Sequence, residues 1–315
     1  ERIHVALTCD DVNNLAYSLI FKEYAEKLQR PLLESVIRKL LELAERWEDA
    51  PFPAKTHGQP ASPSTAGKEL AVFAARLARQ FGQLKAFRFR GKLNGATGNW
   101  SAFAAADPDF DWIAFSRTFV ESLGLEFNPT TTQIEDHDAW SEWFSIVRRA
   151  NVILLDLDVD VWEYVSRGYF AQRKKDGEVG SSTMPHKVNP IKFENSEGNL
   201  ALADGLLSTL SERLCHSRMQ RDLSDSTVVR NVGVALAHSH LAWQETLAGL
   251  GRIELDAAAC RAELEREPQL LAEPYQIVLR RAGRKDAYGQ LKELTRGRAV
   301  ALADFHRLLD AGDLD

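Results

Sequence analysis

The stretch Gly180-Ser-Ser-Thr-Met-Pro-His-Lys-Val-Asn-Pro190 carries more chemical information than any other part of this chain. Two adjacent hydroxyls follow a glycine, and a lysine and an asparagine lie between two prolines. The stretch therefore combines a candidate nucleophile or base, a fixed cation and an amide donor. A loop that only joins two helices needs none of these groups, so we interpret it as part of a functional site.

The composition is typical of a globular protein and bounds the classes of partner. The chain has 315 residues, of which 44% are hydrophobic and 27% charged, enough for one large or two ordinary domains. A net charge of −6 argues against nucleic acid, whose binding surface would be basic, and leaves an anionic small substrate open. No apolar run reaches the ~20 residues of a membrane span.

The cysteines indicate the redox compartment, and the first residue indicates how the chain relates to a longer protein. Cys9, Cys215 and Cys260 lie far apart without CxxC spacing, which fits a reducing cytoplasm without disulfides or structural zinc. The chain starts at Glu1 rather than Met. We interpret it as a piece of a longer protein.

Helical periodicity predicts an all-α fold, a bundle of long helices with at most a small β-hairpin. Apolar residues recur at i, i+3 and i+4 over 31–47, 139–165, 191–214 and 230–250. Ser64 is the expected N-cap of a further helix. The alternating Phe87-Arg88-Phe89-Arg90 is the expected place of the hairpin.

A composition shift at Gly249-Leu250-Gly251 predicts a domain boundary. We expect residues 1–250 to form a central helical-bundle domain. Residues 251–315 are then the beginning of a smaller helical C-terminal domain.

A second chemical motif is Thr56-His57-Gly58-Gln59-Pro60. The glycine and the prolines constrain the backbone around His57, whose imidazole can transfer protons near neutral pH. An isolated histidine at a turn more often bonds only to backbone. The residues alone therefore leave both roles open.

A third motif places Arg221, Ser226 and Arg230 in the spacing Arg-x4-Ser-x3-Arg. Arginines recognise phosphate and carboxylate through paired hydrogen bonds, which suits an anionic substrate. Asp222 and Asp225 lie among them, so structural salt bridges on a polar turn are the alternative.

Together these motifs resemble those of the fumarase/aspartase superfamily, whose members eliminate fumarate from succinyl-bearing substrates. The resemblance covers nearly the whole chain, and the blocks around Gln133 and Arg221 are similar to those of bacterial members that act on succinylated purine nucleotides. It implies a lyase of purine nucleotide biosynthesis that uses no metal and no organic cofactor. Another succinyl lyase, such as argininosuccinate lyase, and a non-catalytic structural protein that retains the fold are the alternatives.

The resemblance also implies the acid and the base. His57 is implied to be the general acid that protonates the leaving nitrogen. Ser181 is implied to be the general base, and the adjacent Ser182 is the alternative, because sequence alone does not separate two neighbouring hydroxyls. A serine needs a cationic, hydrogen-bonding pocket to act as a base.

The resemblance assigns further roles around the same loop. Lys187 and Asn189 are implied to steady the carboxylate that gains negative charge during the elimination. Glu194 is implied to pair with the catalytic histidine, with a solvated surface carboxylate as the alternative. The neighbouring Asn195 is an implied substrate contact.

Other substrate contacts are implied by the remaining matches. They are Thr8, Cys9, His4, Gln133, Arg221, Ser226 and Arg230. Cys9 stands where the family has serine, and cysteine is a weak hydrogen-bond donor, so we expect weaker carboxylate binding there. A buried structural role is the alternative for His4, and His137 belongs either to the same pocket or to a helix-end cap.

The family also implies an assembly and a location. Its members are homotetramers whose active sites are each built from three chains, and a cytoplasmic enzyme is expected. From the resemblance we expect that the family's N-terminal domain and the end of its C-terminal domain lie outside this sequence. We therefore expect this chain alone to be impaired or inactive.

Overall fold

Helices dominate the structure, as predicted. The computed structural model describes residues 2–173, 184, 187–297 and 300–310. The helices are α1 (Cys9–Tyr24), α2 (Arg30–Arg46), α3 (Ala66–Ala86), α4 (Ser101–Ala106), α5 (Trp112–Ser122), α6 (Asp138–Ser166), α7 (Ile191–Leu214), α8 (Ser224–Val229), α9 (Val232–Leu250), α10 (Ala257–Arg266), α11 (Ala272–Arg281), α12 (Ala287–Thr295) and α13 (Leu302–Asp310).

Short strands pair two by two beside the helices. They are β1 (Pro51–Thr56), β2 (Gln59–Thr65), β3 (Arg90–Gly91), β4 (Glu126–Phe127), β5 (Phe170–Gln172) and β6 (Ile253–Leu255). The pairs β1–β2 and β5–β6 are antiparallel, whereas β3–β4 is parallel. The all-α prediction is confirmed, because the strands are short and most of the described chain is helical.

The chain divides into two compact units. The first unit comprises Glu1–Lys39, Phe73–Trp162 and Pro190–Gly251. The second comprises Leu40–Val72, Glu163–Asn189 and Arg252–Asp315. The last division falls at the boundary expected near residue 250, and the second unit also takes two earlier segments. The assignment of residues 1–250 and 251–315 to separate domains stays a prediction.

Long helices build the core of the first unit. On α6, the side chains of Trp140, Trp143 and Phe144 are almost completely buried. Phe21 of α1 packs edge-on against Trp140, with ring centroids 5.0 Å apart. Helix α7 lies along α9, and Gly249 admits this approach because a Cβ there would meet the ring of Phe193 at 2.7 Å.

The second unit has an aromatic core and a separate C-terminal cluster. Phe52 of β1 packs edge-on against Tyr164 and Tyr169, with centroid distances of 5.0 and 5.3 Å. Lys55 forms an ion pair of 2.5 Å with Glu263, which ties the hairpin to α10. The C-terminal cluster is Leu279, Ala287, Leu291 and Phe305.

The hairpin prediction is wrong in its position. Phe87 and Phe89 are both buried, and Arg90 enters a two-residue strand that pairs in parallel with residues 126–127. The hairpin forms instead at 51–65, a stretch that contains several prolines and where no strand was predicted. A two-stranded ribbon has only edge strands, so it tolerates prolines that a central strand would not.

The expected N-cap of α3 is also corrected. Ser64 pairs with Phe52 inside the hairpin. The Thr65 hydroxyl accepts a hydrogen bond of 3.2 Å from the N–H of Lys68, which is the contact of an N-cap.

Among the described residues, no helix is long and apolar enough to cross a membrane.

Candidate functional site

His57 occupies the tip of the β1–β2 hairpin in the second unit. Thr56 pairs with Gln59, so His57 and Gly58 form a two-residue turn. Their φ angles are +54° and +69°, the left-handed pair that a type I′ turn requires. The imidazole is exposed at this tip. The turn therefore presents the ring outward for a partner or a substrate.

Within the stretch 180–190, the structure describes Met184 and residues 187–190. Gly180, Ser181 and Ser182 lie outside the described residues. Lys187 is exposed, and its backbone N–H donates a hydrogen bond of 3.0 Å to the Met184 carbonyl. Asn189 is partly exposed just before α7. Both side chains are open to solvent in this chain.

Glu194 and Asn195 lie in the first turn of α7, in the first unit. Glu194 Oε1 accepts a hydrogen bond of 3.0 Å from the indole Nε1 of Trp162 on α6. Asn195 Nδ2 donates to Glu245 of α9 at 3.2 Å. Glu194 is exposed, as the alternative of a surface carboxylate expects, and α6 supplies it with one directed partner.

The N-terminus of α1 is held by a buried carboxylate. Asp11 Oδ2 accepts the Thr8 N–H at 2.8 Å, and Asp11 Oδ1 accepts the N–H groups of Asn94 and Gly95 at 3.1 and 3.2 Å. The ammonium of Lys92, which is completely buried, lies 3.0 Å from Asp11 Oδ1. The Thr8 N–H is thus already used, and Thr8 is the N-cap of α1 in a capping box with Asp11.

Three predicted substrate contacts come together in the first unit. The Gln133 N–H donates to the Gln220 carbonyl at 3.3 Å, which brings the Gln133 loop to the arginine motif. The Arg221 guanidinium lies 3.9 Å from Asp10 beside Thr8, and 3.9 Å from Asp225. The salt-bridge alternative is therefore present as long, partly exposed contacts.

The remaining predicted contacts have different surroundings. Ser226 Oγ donates to the Leu223 carbonyl at 3.1 Å, and Arg230 is exposed at the end of α8. Cys9 is exposed at the start of α1. His4 is exposed as well, so the alternative of a buried structural role for it is wrong.

His137 is buried and occupies the N-cap position of α6, as its helix-end alternative expected: its carbonyl accepts a hydrogen bond of 3.0 Å from the N–H of Ser141. Its ring stacks on Trp140 with centroids 4.3 Å apart and is 4% exposed. Its Nδ1 lies 3.2 Å from the Leu214 carbonyl oxygen. The ring therefore links α6 to the end of α7 by packing and a hydrogen bond.

Burial controls the electrostatics around the α1 N-terminus. Burial raises the pKa of Asp10 above its ordinary value, while the Glu135 N–H, Lys92 and Arg221 act in the opposite direction. Burial lowers the pKa of Lys92, and the Asp11 carboxylate opposes that change. A polar group buried without partners would be costly, and here Asp11 receives several donors while Asp10 accepts the Glu135 N–H at 3.0 Å.

Asp11, Lys92 and Trp162 were missed by sequence reasoning. Lys92 lies between Gly91 and Leu93, in a stretch that offers a charge among apolar residues, and that was the only available signal. The partners of these residues lie tens of residues away in the chain. Among the described residues, no cluster of three metal-ligating side chains occurs.

The chain matches known families along most of its length. The family model described as "Lyase" matches residues 1–204, and the one described as "Adenylosuccinate lyase C-terminal" matches residues 217–315. The adenylosuccinate lyase of Vibrio cholerae serotype O1 is 50% identical over 95% of this chain and 66% of that protein. The adenylosuccinate lyase of Escherichia coli K12 is 47% identical over 98% of this chain and 68% of that protein.

Solved structures share the fold. A fumarate lyase from Mesorhizobium sp. BNC1 superposes with a TM-score of 0.82 at 19% identity, covering 98% of this chain and 70% of that one. The 3-carboxy-cis,cis-muconate lactonizing enzyme of Pseudomonas putida gives a TM-score of 0.78 at 22% identity, covering 92% and 64%. The chain spans about two thirds of the length of the curated relatives it matches.

Proposed function

Because the chain belongs to the adenylosuccinate lyase family of the fumarase/aspartase superfamily, we propose that its protein cleaves adenylosuccinate to AMP and fumarate by β-elimination. The observation that carries this proposal is the identity of 47% to 50% with proteins named adenylosuccinate lyase, over 95% to 98% of the chain. The family reaction on the succinylated aminoimidazole carboxamide ribotide is part of the same proposal. The setting is purine nucleotide biosynthesis in the cytoplasm.

The elimination needs a base, an acid and a site for developing charge. Ser181 removes the proton from Cβ of the succinyl group, and the electron pair moves into the adjacent carboxylate. Lys187 and Asn189 stabilise this extra negative charge, which is the role of preorganised donors in such reactions. His57 then protonates the nitrogen as the C–N bond breaks, and fumarate and AMP are the products.

The exposed position of His57 supports this role. A general acid must reach its proton acceptor within about 2.6–3.2 Å, so a ring at the tip of a hairpin suits transfer to a bound substrate. Glu194 is proposed to pair with this imidazole and orient it. Because a carboxylate that accepts a hydrogen bond from one ring nitrogen fixes where the proton is held, Glu194 sets the direction of transfer.

The nucleotide portion is proposed to bind in the first unit. Arg221, Ser226 and Arg230 contact the anionic nucleotide, and Gln133 and Asn195 add hydrogen bonds. Thr8 and Cys9, with His4 nearby, hold a substrate carboxylate at the N-terminus of α1. Positive charge from a helix N-terminus and from arginine favours an anion at such a place.

The assembly is proposed to be a homotetramer whose active sites combine residues from several chains. Support comes from apolar side chains that three long helices of the first unit leave exposed. They are Val152 and Val159 on α6, Leu202 on α7, and Val234 and Leu241 on α9. Exposed apolar side chains mark a surface that associates where they form a contiguous patch, which is what the proposed assembly requires of these helices.

A substrate comparison tests the proposed reaction. The full-length protein is supplied with adenylosuccinate or with argininosuccinate, and fumarate release is measured. We expect release from adenylosuccinate alone. Release from argininosuccinate instead would keep the elimination and change the substrate. Release from neither would support the non-catalytic alternative.

A further inference from the structure

The first turn of α7 is tied to α6 through a single directed contact. Trp162 lies on α6 with 41% of its surface exposed, and its indole Nε1 donates to Glu194 Oε1 at 3.0 Å. An indole N–H is only a donor and points in one direction. The contact therefore fixes one carboxylate oxygen of Glu194. Among the described residues, Glu194 Oε2 accepts no hydrogen bond.

A buried polar layer lies one helical turn away from this contact. Asp158 of α6 is 1% exposed and accepts from the Thr246 hydroxyl of α9 at 3.0 and 3.1 Å. The Thr246 hydroxyl is also 2.8 Å from the hydroxyl of Ser196, two residues after Glu194 on α7. The layer joins α6, α7 and α9. These buried hydrogen bonds therefore hold α6 and α7 at the spacing that places Trp162 beside Glu194.

A second contact orients the other proposed site residue of this turn. Lys192 Nζ lies 2.8 Å from Glu245 Oε2, and Asn195 Nδ2 donates to the same oxygen at 3.2 Å. Lys192 and Glu245 are both largely shielded from solvent, with 25% and 14% of their side chains exposed. The first turn of α7 is thus held by α6 on one side and by α9 on the other.

We propose that Trp162 is a positioning residue for the elimination, whose indole N–H holds the Glu194 carboxylate in one orientation and leaves Oε2 free for the imidazole of His57. The inference rests on the proposed function of Glu194. A glutamate side chain without a partner samples several rotamers, and ordering it costs free energy at each turnover. Trp162 removes that cost before the substrate binds.

The substitution Trp162→Phe in the full-length protein tests this role with little risk to folding, because the phenyl ring keeps most of the packing. Hydrogen bonds to charged groups contribute about 1.5–3 kcal/mol, which corresponds to a loss of about ten- to hundredfold in kcat. We expect that loss with adenylosuccinate, with KM changed by less than about twofold and the unfolding midpoint unchanged.

A matched control removes an indole N–H elsewhere. Trp112 Nε1 donates to the Asp107 carbonyl at 2.9 Å, and its ring contacts Phe103, Phe110 and Phe115, none of which is proposed to bind substrate. Trp112→Phe should leave kcat and KM unchanged. A loss of kcat equal to that of Trp162→Phe would show a general effect of removing tryptophan and would overturn the proposal.

A double-mutant cycle separates positioning from a structural role. Because Trp162 acts through the carboxylate of Glu194, Trp162→Phe should have no further effect on kcat in a Glu194→Gln background. An equal loss in both backgrounds, or wild-type kinetics for Trp162→Phe, would overturn the inference alone. Absence of fumarate release by the wild-type protein would overturn the proposed function and the inference together.

Discussion

His57 takes a backbone conformation that a histidine seldom adopts. Its φ of +54° lies in the left-handed region, and Gly58 follows at +69°. A non-glycine residue in this region costs about 1–3 kcal/mol, which the pairing of the two hairpin strands offsets. The strained residue is the one proposed to transfer a proton. Presenting the imidazole at the turn therefore lowers the free energy of unfolding of the hairpin.

Gly58→Ala should weaken this turn. No atom lies within 4 Å of the Cβ that alanine would add, so the cost is only that of the positive φ, about 1 kcal/mol. We expect a lower free energy of unfolding in urea and a lower kcat, because His57 loses its orientation. Gly82→Ala, with equally open space inside α3, should instead raise the free energy of unfolding by about 0.5–1 kcal/mol.

Asp158 makes stability depend on pH in a predictable direction. Burial raises its pKa from 3.8 to about 8, so the folded protein holds a proton there that the unfolded chain releases. The contribution of Asp158 to the free energy of unfolding is complete below the unfolded pKa of 3.8. It is lost as the pH rises to the folded pKa of about 8. The slope approaches about 1.4 kcal/mol per pH unit for one proton.

Asp158→Asn should remove this dependence, because the amide does not ionise. We expect the difference in free energy of unfolding, wild type minus variant, to fall as the pH rises from about 5 to about 8, as the linkage relation requires. Urea unfolding across that range measures it. A difference that stays constant would contradict a raised pKa for Asp158.

Single residues show clearly what sequence can and cannot predict. His57, Lys187 and Arg221 were proposed as site residues because each stands in a dense local motif. Trp162 and Lys92 were not found, because their roles depend on partners 32 and 81 positions away in the chain. A contact of that kind depends on how helices pack, and packing has no local sequence pattern.

Elements were predictable where one periodicity holds over many residues. Helix α7 has the predicted limits of 191 and 214, and α6 differs from prediction by one residue at each end. Their apolar stripes are long and face a core. The hairpin at 51–65 was missed because its prolines hide the strand pattern, and the left-handed His57-Gly58 pair that makes the turn is evident only in the backbone.

The turn after β3 is joined to α1 by the buried pair of Lys92 and Asp11. Removing one partner of a buried pair leaves an uncompensated charge, which costs about 3–5 kcal/mol. Lys92→Met should therefore lower the free energy of unfolding by about that amount, measured by urea unfolding. The double variant Lys92→Met with Asp11→Asn should recover a large part of the loss, since no buried charge remains.

An exposed pair serves as the control for this prediction. Arg38 and Glu34 are four residues apart on α2, with 75% and 43% of their side chains exposed. Exposed pairs contribute little because water screens them. Arg38→Met should leave the unfolding midpoint unchanged. A loss for Lys92→Met no larger than this control would contradict a structural role for the buried pair.

At the scale of the whole molecule, association is the property that one chain shows least directly. In the proposed homotetramer, each active site would combine residues from several chains. The exposed apolar side chains on α6, α7 and α9 are the positions where such contacts are expected. Sequence predicted the assembly only through family resemblance, because exposure depends on which helix faces remain uncovered.

Val159→Glu should disrupt this assembly. Val159 is 41% exposed on α6, and a charge buried between chains without a partner is strongly unfavourable. We expect sedimentation of the full-length variant to show smaller species than the wild type, with reduced fumarate release. Ile277→Glu on α11, where the side chain is 57% exposed, should keep the wild-type mass. Equal masses for wild type and Val159→Glu would contradict the proposed interface.

This chain alone should be impaired relative to the full-length protein, because it spans about two thirds of the length of its relatives. Equal turnover of adenylosuccinate by the two would contradict that expectation. The comparison uses the same assay of fumarate release.

The central claim is that Ser181 starts a β-elimination of adenylosuccinate, and the release of AMP and fumarate by wild type, Ser181→Ala and Ser182→Ala tests it most directly. We predict equimolar products from wild type and from Ser182→Ala. Loss of a general base costs about 10²–10⁴-fold, so Ser181→Ala should fall by that factor. Full activity in Ser181→Ala, or products in unequal amounts from wild type, would contradict the account.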